Sequence, residues 1–337
     1  MQQRLLEIMI CPSCGVTDFS IEIDGEDEQH VMEGQLTCGT CDRIFPIRSG
    51  VPRMLPDELL EEGLRDPNQS SGGKDGSAST RTMRSFGYQW NVFSEVYKEW
   101  RNDFYEFVSP VDEKFFEGKQ GLDVGCGMGR YTRVVGETGA EIVGLDLSNA
   151  VEAAFQNTRH LPNVHIVQGD VLQPPFFSSS FDFAYSIGVL HHLPEPRRGF
   201  ESLRRLTRPG GGVIIWVYSK TKHPVYTLIR KFTLKLPFRP LRLLCLFLAA
   251  GLWVFFILPN KVARALGFDA VADRIKFQRY ARFPFRALHT DLFDELSAPV
   301  IHGHSEPEIR EWYLASDCSQ VVTSATGKHG WRGFGIS

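Results

Sequence analysis

Two cysteine pairs stand near the start of the sequence, Cys11-Pro-Ser-Cys14 and Cys38-Gly-Thr-Cys41. Each CxxC turn can aim two thiolates at one ion, and two such turns complete the tetrahedral four-sulfur set of a structural zinc site. That site is closed, so Zn2+ there would hold the fold and leave no open position for chemistry. A second constellation begins at Asp123, where Asp123-Val-Gly125-Cys-Gly127-Met-Gly129 sets three glycines at alternate positions behind an acid. Glycines at such a turn let the backbone tighten and approach a ligand. A dinucleotide fingerprint would require glycine at position 130, where the chain has Arg130. Asp146 follows at roughly the 20-residue interval at which a carboxylate accepts ribose hydroxyls. Cys126, among glycines and with no base beside it, reads as a small packing residue. His191 and His192 are the candidate bases: histidine exchanges protons near neutral pH, and either could take one from an acceptor.

These residues need a scaffold, and the pattern around them supplies one. Residues 121–124, 141–146, 164–168, 181–187 and 212–218 are short apolar runs separated by segments of helical length and polarity. That alternation predicts an α/β fold with a doubly wound, mostly parallel sheet, its crossovers right-handed. Asp123, Asp146 and Asp170 fall at the carboxyl ends of the first three runs, and His191 and His192 lie just past the fourth, where open α/β sheets bind ligands. A capping-box pair, Ser305 with Glu308, predicts a helix running to about Asp317, followed by strands near 318–325 and 331–337. Aromatic-rich segments from Phe86 to Phe116 predict helices packed on the sheet, with Tyr88, Trp90 and Arg130 as candidate lid or pocket residues.

Taken together, the glycine loop, the three acids, the run Ser186-Ile-Gly-Val-Leu-His-His-Leu-Pro194 and the LTRPGGG turn at 206–212 resemble class I, Rossmann-like S-adenosylmethionine-dependent methyltransferases of the type acting on small metabolites and quinones. The resemblance is strong over 121–218 and looser over 300–337. It implies S-adenosyl-L-methionine as cofactor, its methionine end against the glycine loop and its adenine amino group near Asp170. The implied cofactor set is Asp123, Gly125, Gly127, Gly129, Asp146, Leu147, Asp170, Val171 and Ser186. The segments around the cysteines resemble the short zinc-ribbon proteins that activate tRNA and protein methyltransferases.

The expected domains are a zinc ribbon at 1–56, a linker at 57–85 centred on the aperiodic DPNQSSGGKDGSAST, a methyltransferase domain at 86–218 and 291–337, and a helical insertion at 219–290. The overall formal charge of −3 hides an asymmetry. The insertion carries fourteen Lys and Arg against only Asp269 and Asp273, a local +12. Within it, 243–258 is an uncharged apolar run of 16 residues, shorter than the ~20 that a spanning helix needs. It reads either as a buried lid over the active site or as a segment of 236–260 lying in a membrane interface. The insertion should form the acceptor pocket, favouring a small-molecule or lipid-like acceptor. The opening residues carry no secretory signal and the seven cysteines fit metal ligation better than disulfides, so a cytoplasmic protein, with membrane association through 236–260 if that reading holds, is expected. No aromatic-plus-basic RNA module is evident. An RNA methyltransferase and a non-catalytic cofactor-binding activator remain the competing readings, and the oligomeric state is open.

Overall fold

A computed structural model describes residues 1–65, 77–220, 224–327 and 330–337. Eleven strands form one sheet: β1 (Phe19–Glu26), β2 (Val31–Cys38), β3 (Ile44–Arg48), β4 (Val51–Met54), β5 (Gln120–Val124), β6 (Glu141–Asp146), β7 (Val164–Gly169), β8 (Phe181–Ile187), β9 (Thr207–Tyr218), β10 (Ser319–Thr326) and β11 (Gly330–Ile336). Their spatial order is β1-β2-β3-β4-β7-β6-β5-β8-β9-β11-β10. Strands β4 through β9 pair in parallel across the centre, and antiparallel pairs close both edges. All five expected central strands are present, and helices connect them as a parallel sheet demands. The capping box at Ser305 and Glu308 also forms, opening the helix Glu306–Ala315.

Alternation along the strands divides the core in two. Val143 and Leu145 of β6, Ala184 of β8 and Val213, Ile215 and Val217 of β9 pack on one face. Ile142, Phe183, Tyr185 and Ile214 pack on the other, under Phe104, Tyr131 and Phe155. Burial on both faces is why these strands read as continuous apolar runs.

The N-terminal region departs from the expectation of a separate ribbon core. Leu36, Cys38, Phe45 and Ile47 belong to the same apolar cluster as the central strands, and β4 pairs in parallel with β7, Arg53 opposite Gln168 and Met54 opposite Gly169. The ribbon is thus an extension of the main sheet. The expected linker also changes character, since Asp57–Gly63 is helical and a helix Ala78–Val92 starts inside it. Its residues 66–76 lie outside the described residues.

The insertion is helical, as expected, and its last helix, Phe285–Ser297, runs past the expected boundary at 290. Phe238 to Ala265 form a continuous helix of 28 residues with a π-helical turn at Trp253–Ile257. By length and composition it could cross a membrane, and only 22% of its most apolar window is buried. Most of this window is thus left uncovered by the described residues. Only one stripe faces the protein, Phe238, Leu241, Cys245 and Ala249, then Ile257 and Asn260.

Candidate functional site

The four expected metal ligands converge. The Sγ atoms of Cys11, Cys14, Cys38 and Cys41 all lie within 4.8 Å of one another, with Cys11 3.7 Å from Cys41 and Cys14 3.5 Å from Cys38. A tetrahedron with Zn–S bonds of about 2.3 Å has sulfur–sulfur edges of about 3.8 Å, so the donor set and its spacing fit structural zinc. Local folding follows from the turns: Gly15 N donates to Cys11 O and Asp42 N to Cys38 O, which folds each knuckle back on its first cysteine.

The carboxyl ends of the parallel strands build the second site. Gly125, Gly127 and Gly129 all take positive φ, at 78°, 55° and 80°. A side chain at 125 would collide with Val189, and one at 127 would press on Trp90 Nε1. Glycine is thus required as much by the packing of this turn as by room for a ligand. The loop leads into the helix Arg130–Gly136, with Gly129 as its left-handed N-cap.

Asp146 ends β6 beside this loop. Its Oδ2 accepts from Gly127 N at 2.8 Å, and its Oδ1 accepts from the Ser148 amide and hydroxyl at 2.8 and 2.6 Å. Burial raises the carboxyl above its ordinary range while these donors oppose the rise. Asp170, at the end of β7, is likewise raised by burial and opposed by the Leu172 amide, at 2.8 Å. Asp123 is closed off: it is 3% exposed, and its Oδ2 accepts from Thr132 Oγ1 at 2.6 Å. Burial lifts its pKa to about 7 against that hydrogen bond. Ser186 is fully buried and donates to Val124 O, tying β8 to β5. Val171 is buried in the core, and Leu147 packs against Leu55, Leu59 and Met83. Among the expected cofactor residues, therefore, Asp146 and Asp170 present carboxylates at the strand ends beside the loop, whereas Asp123 and Ser186 brace it from below.

His191 and His192 lie at the carboxyl end of β8 as expected, and both are buried. His191 stacks on Tyr218 at 4.0 Å and its Nδ1 accepts from Tyr218 N at 3.4 Å. His192 Nδ1 lies 2.6 Å from Val300 O, so that nitrogen carries the proton, and burial pulls the imidazole down to about 4. Tyr88 packs away from the loop, against Phe238 and Phe293 of the insertion. Trp90 and Arg130 come together: the guanidinium sits over the rings of Trp90, Trp100 and Tyr131 at 4.7–5.0 Å.

The structure adds groups that sequence reasoning missed. The helix Phe285–Ser297 carries Asp291 and Asp294 to the same place, within electrostatic reach of each other and of Arg130. Burial, then Glu295 and Asp291, push Asp294 up to about 7. The fully buried Gln89 faces this carboxyl, and a hydrogen bond from it opposes the rise. The available signal was the spacing of Asp291 and Asp294 on a helix whose apolar positions 288, 293 and 296 must face inward.

Comparison with known proteins agrees with this layout. Residues 122–215 match the family model described as a methyltransferase domain, and residues 2–50 match the one described as Trm112p-like protein. A demethylmenaquinone methyltransferase of Staphylococcus haemolyticus (strain JCSC1435) is 32% identical over 152 residues, covering 43% of this chain and 61% of that protein. A tRNA U34 carboxymethyltransferase of Pseudoalteromonas atlantica is 37% identical over 122 residues, covering 35% of this chain and 37% of that protein. The chain thus spans less than two thirds of the length of these relatives, 61% of the first and 37% of the second. Among solved structures, the complex between the Haloferax volcanii Trm112 methyltransferase activator and a putative methyltransferase matches at 13% identity and a TM-score of 0.42, over 74% of this chain and 96% of that one. Residues 122–215 are thus similar to methyltransferase domains, and residues 2–50 to Trm112p-like proteins.

Proposed function

We propose that the chain transfers the methyl group of S-adenosyl-L-methionine to a small-molecule, lipid-like acceptor. The observation that carries the reading is the left-handed glycine loop at 125–129 with Asp146 and Asp170 at the ends of successive parallel strands. In this reading Asp146 receives the ribose, Asp170 the adenine side, and Asp123, Leu147, Val171 and Ser186 hold the walls. The cofactor supplies an electrophilic methyl on a sulfonium, so the protein's task is to hold an acceptor lone pair in line with it and to remove a proton where the acceptor has one. His191 or His192 is one source of that base. Asp294 is a stronger candidate than His192, because its carboxyl, raised to about 7, is matched to proton transfer at neutral pH, whereas the His192 imidazole, lowered to about 4, is a weak base. The small-molecule class is supported by the menaquinone-type relative. Such an acceptor is held in lipid, and 236–260 is the segment through which the chain reaches it.

The relative acting on tRNA U34 favours a second reading, transfer to RNA. One experiment separates the two: cofactor binding by calorimetry, then tritium transfer from labelled S-adenosylmethionine to lipid, metabolite and RNA fractions. We expect label in the lipid fraction, and label in RNA alone overturns the acceptor class. Cofactor binding without transfer to any fraction leaves the activator reading. Asp146→Ala should weaken cofactor binding by about 10- to 100-fold, the range for losing hydrogen bonds to a charged group, and unchanged affinity removes Asp146 from the site.

A further inference from the structure

The helix Phe238–Ala265 has two unlike sides. Its inner stripe is tied to the protein along the whole length: Phe238 stacks on Tyr88 at 5.0 Å near the start, Ala249 and Ile257 pack with Leu288 in the middle, and Asn260 Nδ2 donates to Ala272 O at 2.7 Å near the end. Its outer side is apolar and open. Phe247 and Phe255 are 68% and 74% exposed, and Leu243, Val254, Leu258 and Val262 are each about half exposed. Between Arg242 and Lys261 the helix bears no charge. An apolar face of this extent marks an interaction site.

Charge identifies what covers it. Lys231, Lys235, Arg239, Arg242, Lys261 and Arg274 surround the helix, and none has a carboxylate within 4.0 Å among the described residues, while the insertion's two acids at 269 and 273 are both spent on Arg264. At the foot of the helix a cavity of about 350 Å³ opens between Phe238, Leu241 and Leu236 on one side and Arg81, Lys231 and Lys235 on the other. Arg81 Nε is buried with no hydrogen-bond partner among the described residues. The cationic rim suits an anionic headgroup, while the exposed outer side of the helix suits the acyl boundary beside it.

We infer that the chain docks on an anionic bilayer, with the outer side of 238–265 lying in the membrane plane and a phosphate-bearing headgroup seated among Arg81, Lys231 and Lys235. The inner stripe opposes a crossing: the helix is packed from Phe238 to Asn260 on a domain whose charged surface would have to enter the hydrocarbon with it, and it ends in the Arg264–Asp273 ion pair, at 2.7 Å. An in-plane helix needs only its outer half in the headgroup and acyl boundary. The inference goes beyond the proposed function in that it holds whatever the acceptor is.

Sedimentation of the full chain with vesicles tests it, with phosphatidylcholine alone set against phosphatidylcholine containing phosphatidylglycerol. Binding should be at least about tenfold tighter to the anionic vesicles and fall as salt rises. An alkaline carbonate wash should release the protein. F247D/F255D should abolish binding to both kinds of vesicle, and K231E/K235E should remove the preference for the anionic ones. Both pairs are exposed, so cofactor affinity measured on the same preparations should stay unchanged. Equal binding to both vesicle types overturns the headgroup seat, and retention through carbonate overturns the in-plane helix. No vesicle binding, with self-association that F247D/F255D abolishes, assigns the face to a second copy instead. Failure of the methyl-transfer reading leaves every one of these outcomes unaffected.

Discussion

The ribbon and the insertion are both additions to the same sheet, and they are attached by opposite means. The ribbon joins through backbone: β4 hydrogen-bonds to β7, and a single buried arginine completes the seam. Arg53, 1% exposed, donates to Gln168 Oε1 at 3.0 Å and Glu152 Oε1 at 3.1 Å. The insertion leaves the end of β9, and much of its anchorage is through side chains. Asp103, also 1% exposed, receives Arg279 at 2.5 Å and Arg282 at 2.7 Å. One addition thus hides its apolar surface in a core it shares, whereas the other leaves a long apolar face uncovered. A seam made of ladder hydrogen bonds transmits unfolding, while a pin made of exposed arginines on one aspartate can release locally.

The largest expected effect follows from the shared core. Cys38→Ser, or chelation of the metal, should cost more than about 5 kcal/mol, since metal binding at a four-thiolate site is folding free energy. Because Cys38 packs in the cluster that holds β6 and β9, the loss should appear as one earlier transition of the whole chain. Calorimetry resolving two transitions, with the second at its original temperature, would break the comparison by making the ribbon independent.

Arg53→Ala comes next, at about 3 kcal/mol, because it leaves the buried Gln168 Oε1 without its donor, while Glu152, 39% exposed, can turn to water. It should also weaken cofactor binding, because Gln168 relays the seam to the site: its Nε2 donates to Leu147 O at 3.1 Å and Asn149 Oδ1 at 2.9 Å, directly behind Asp146. Denaturant melts and calorimetry on the same sample check both. Asp103→Asn should cost less, about 1.5–3 kcal/mol, the worth of hydrogen bonds to a charged group. Its signature should be local, with faster amide exchange in 278–297 and none in β5 to β8.

Legibility differed between the regions for the same physical reasons. The central strands were readable because burial on both faces writes uninterrupted apolar runs, and the metal site because CxxC spacing has few other uses. The weld at β4 was not. Its four residues, VPRM, include an arginine, and arginine in a sequence reads as surface until a partner such as Glu152 is known. The run at 243–258 was visible, but an apolar segment looks alike whether protein or lipid will cover it. Asp146 and Asp170 could be placed because strand ends are fixed by the run pattern. Asp294 could not, since its environment depends on how a helix some 150 residues further on lies over the glycine loop.

The smallest effect tests whether that helix is part of the site or merely covers it. The Asp294 carboxyl titrates at about 7 in the folded chain against an ordinary value of 3.8, because burial beside Glu295 and Asp291 disfavours its charge. A carboxyl raised by folding favours the folded state while protonated in both states. That contribution is complete below pH ~3.8 and is lost as pH rises through about 7. Asp294→Asn removes the titration, so the variant should match the parent at pH 3 and exceed it at pH 8. Because Asp294 is only partly buried, only part of the shift should count, and a tenfold change in acidity is worth about 1.4 kcal/mol. Melting temperatures across that range read this directly. If Asp294 is also the base, the same variant should lose turnover at every pH while keeping its affinity for the cofactor, and the parent's turnover should rise through pH 7. A variant that gains stability at pH 8 with turnover intact makes Asp294 a strained wall of the pocket, and returns the proton to His191 or His192.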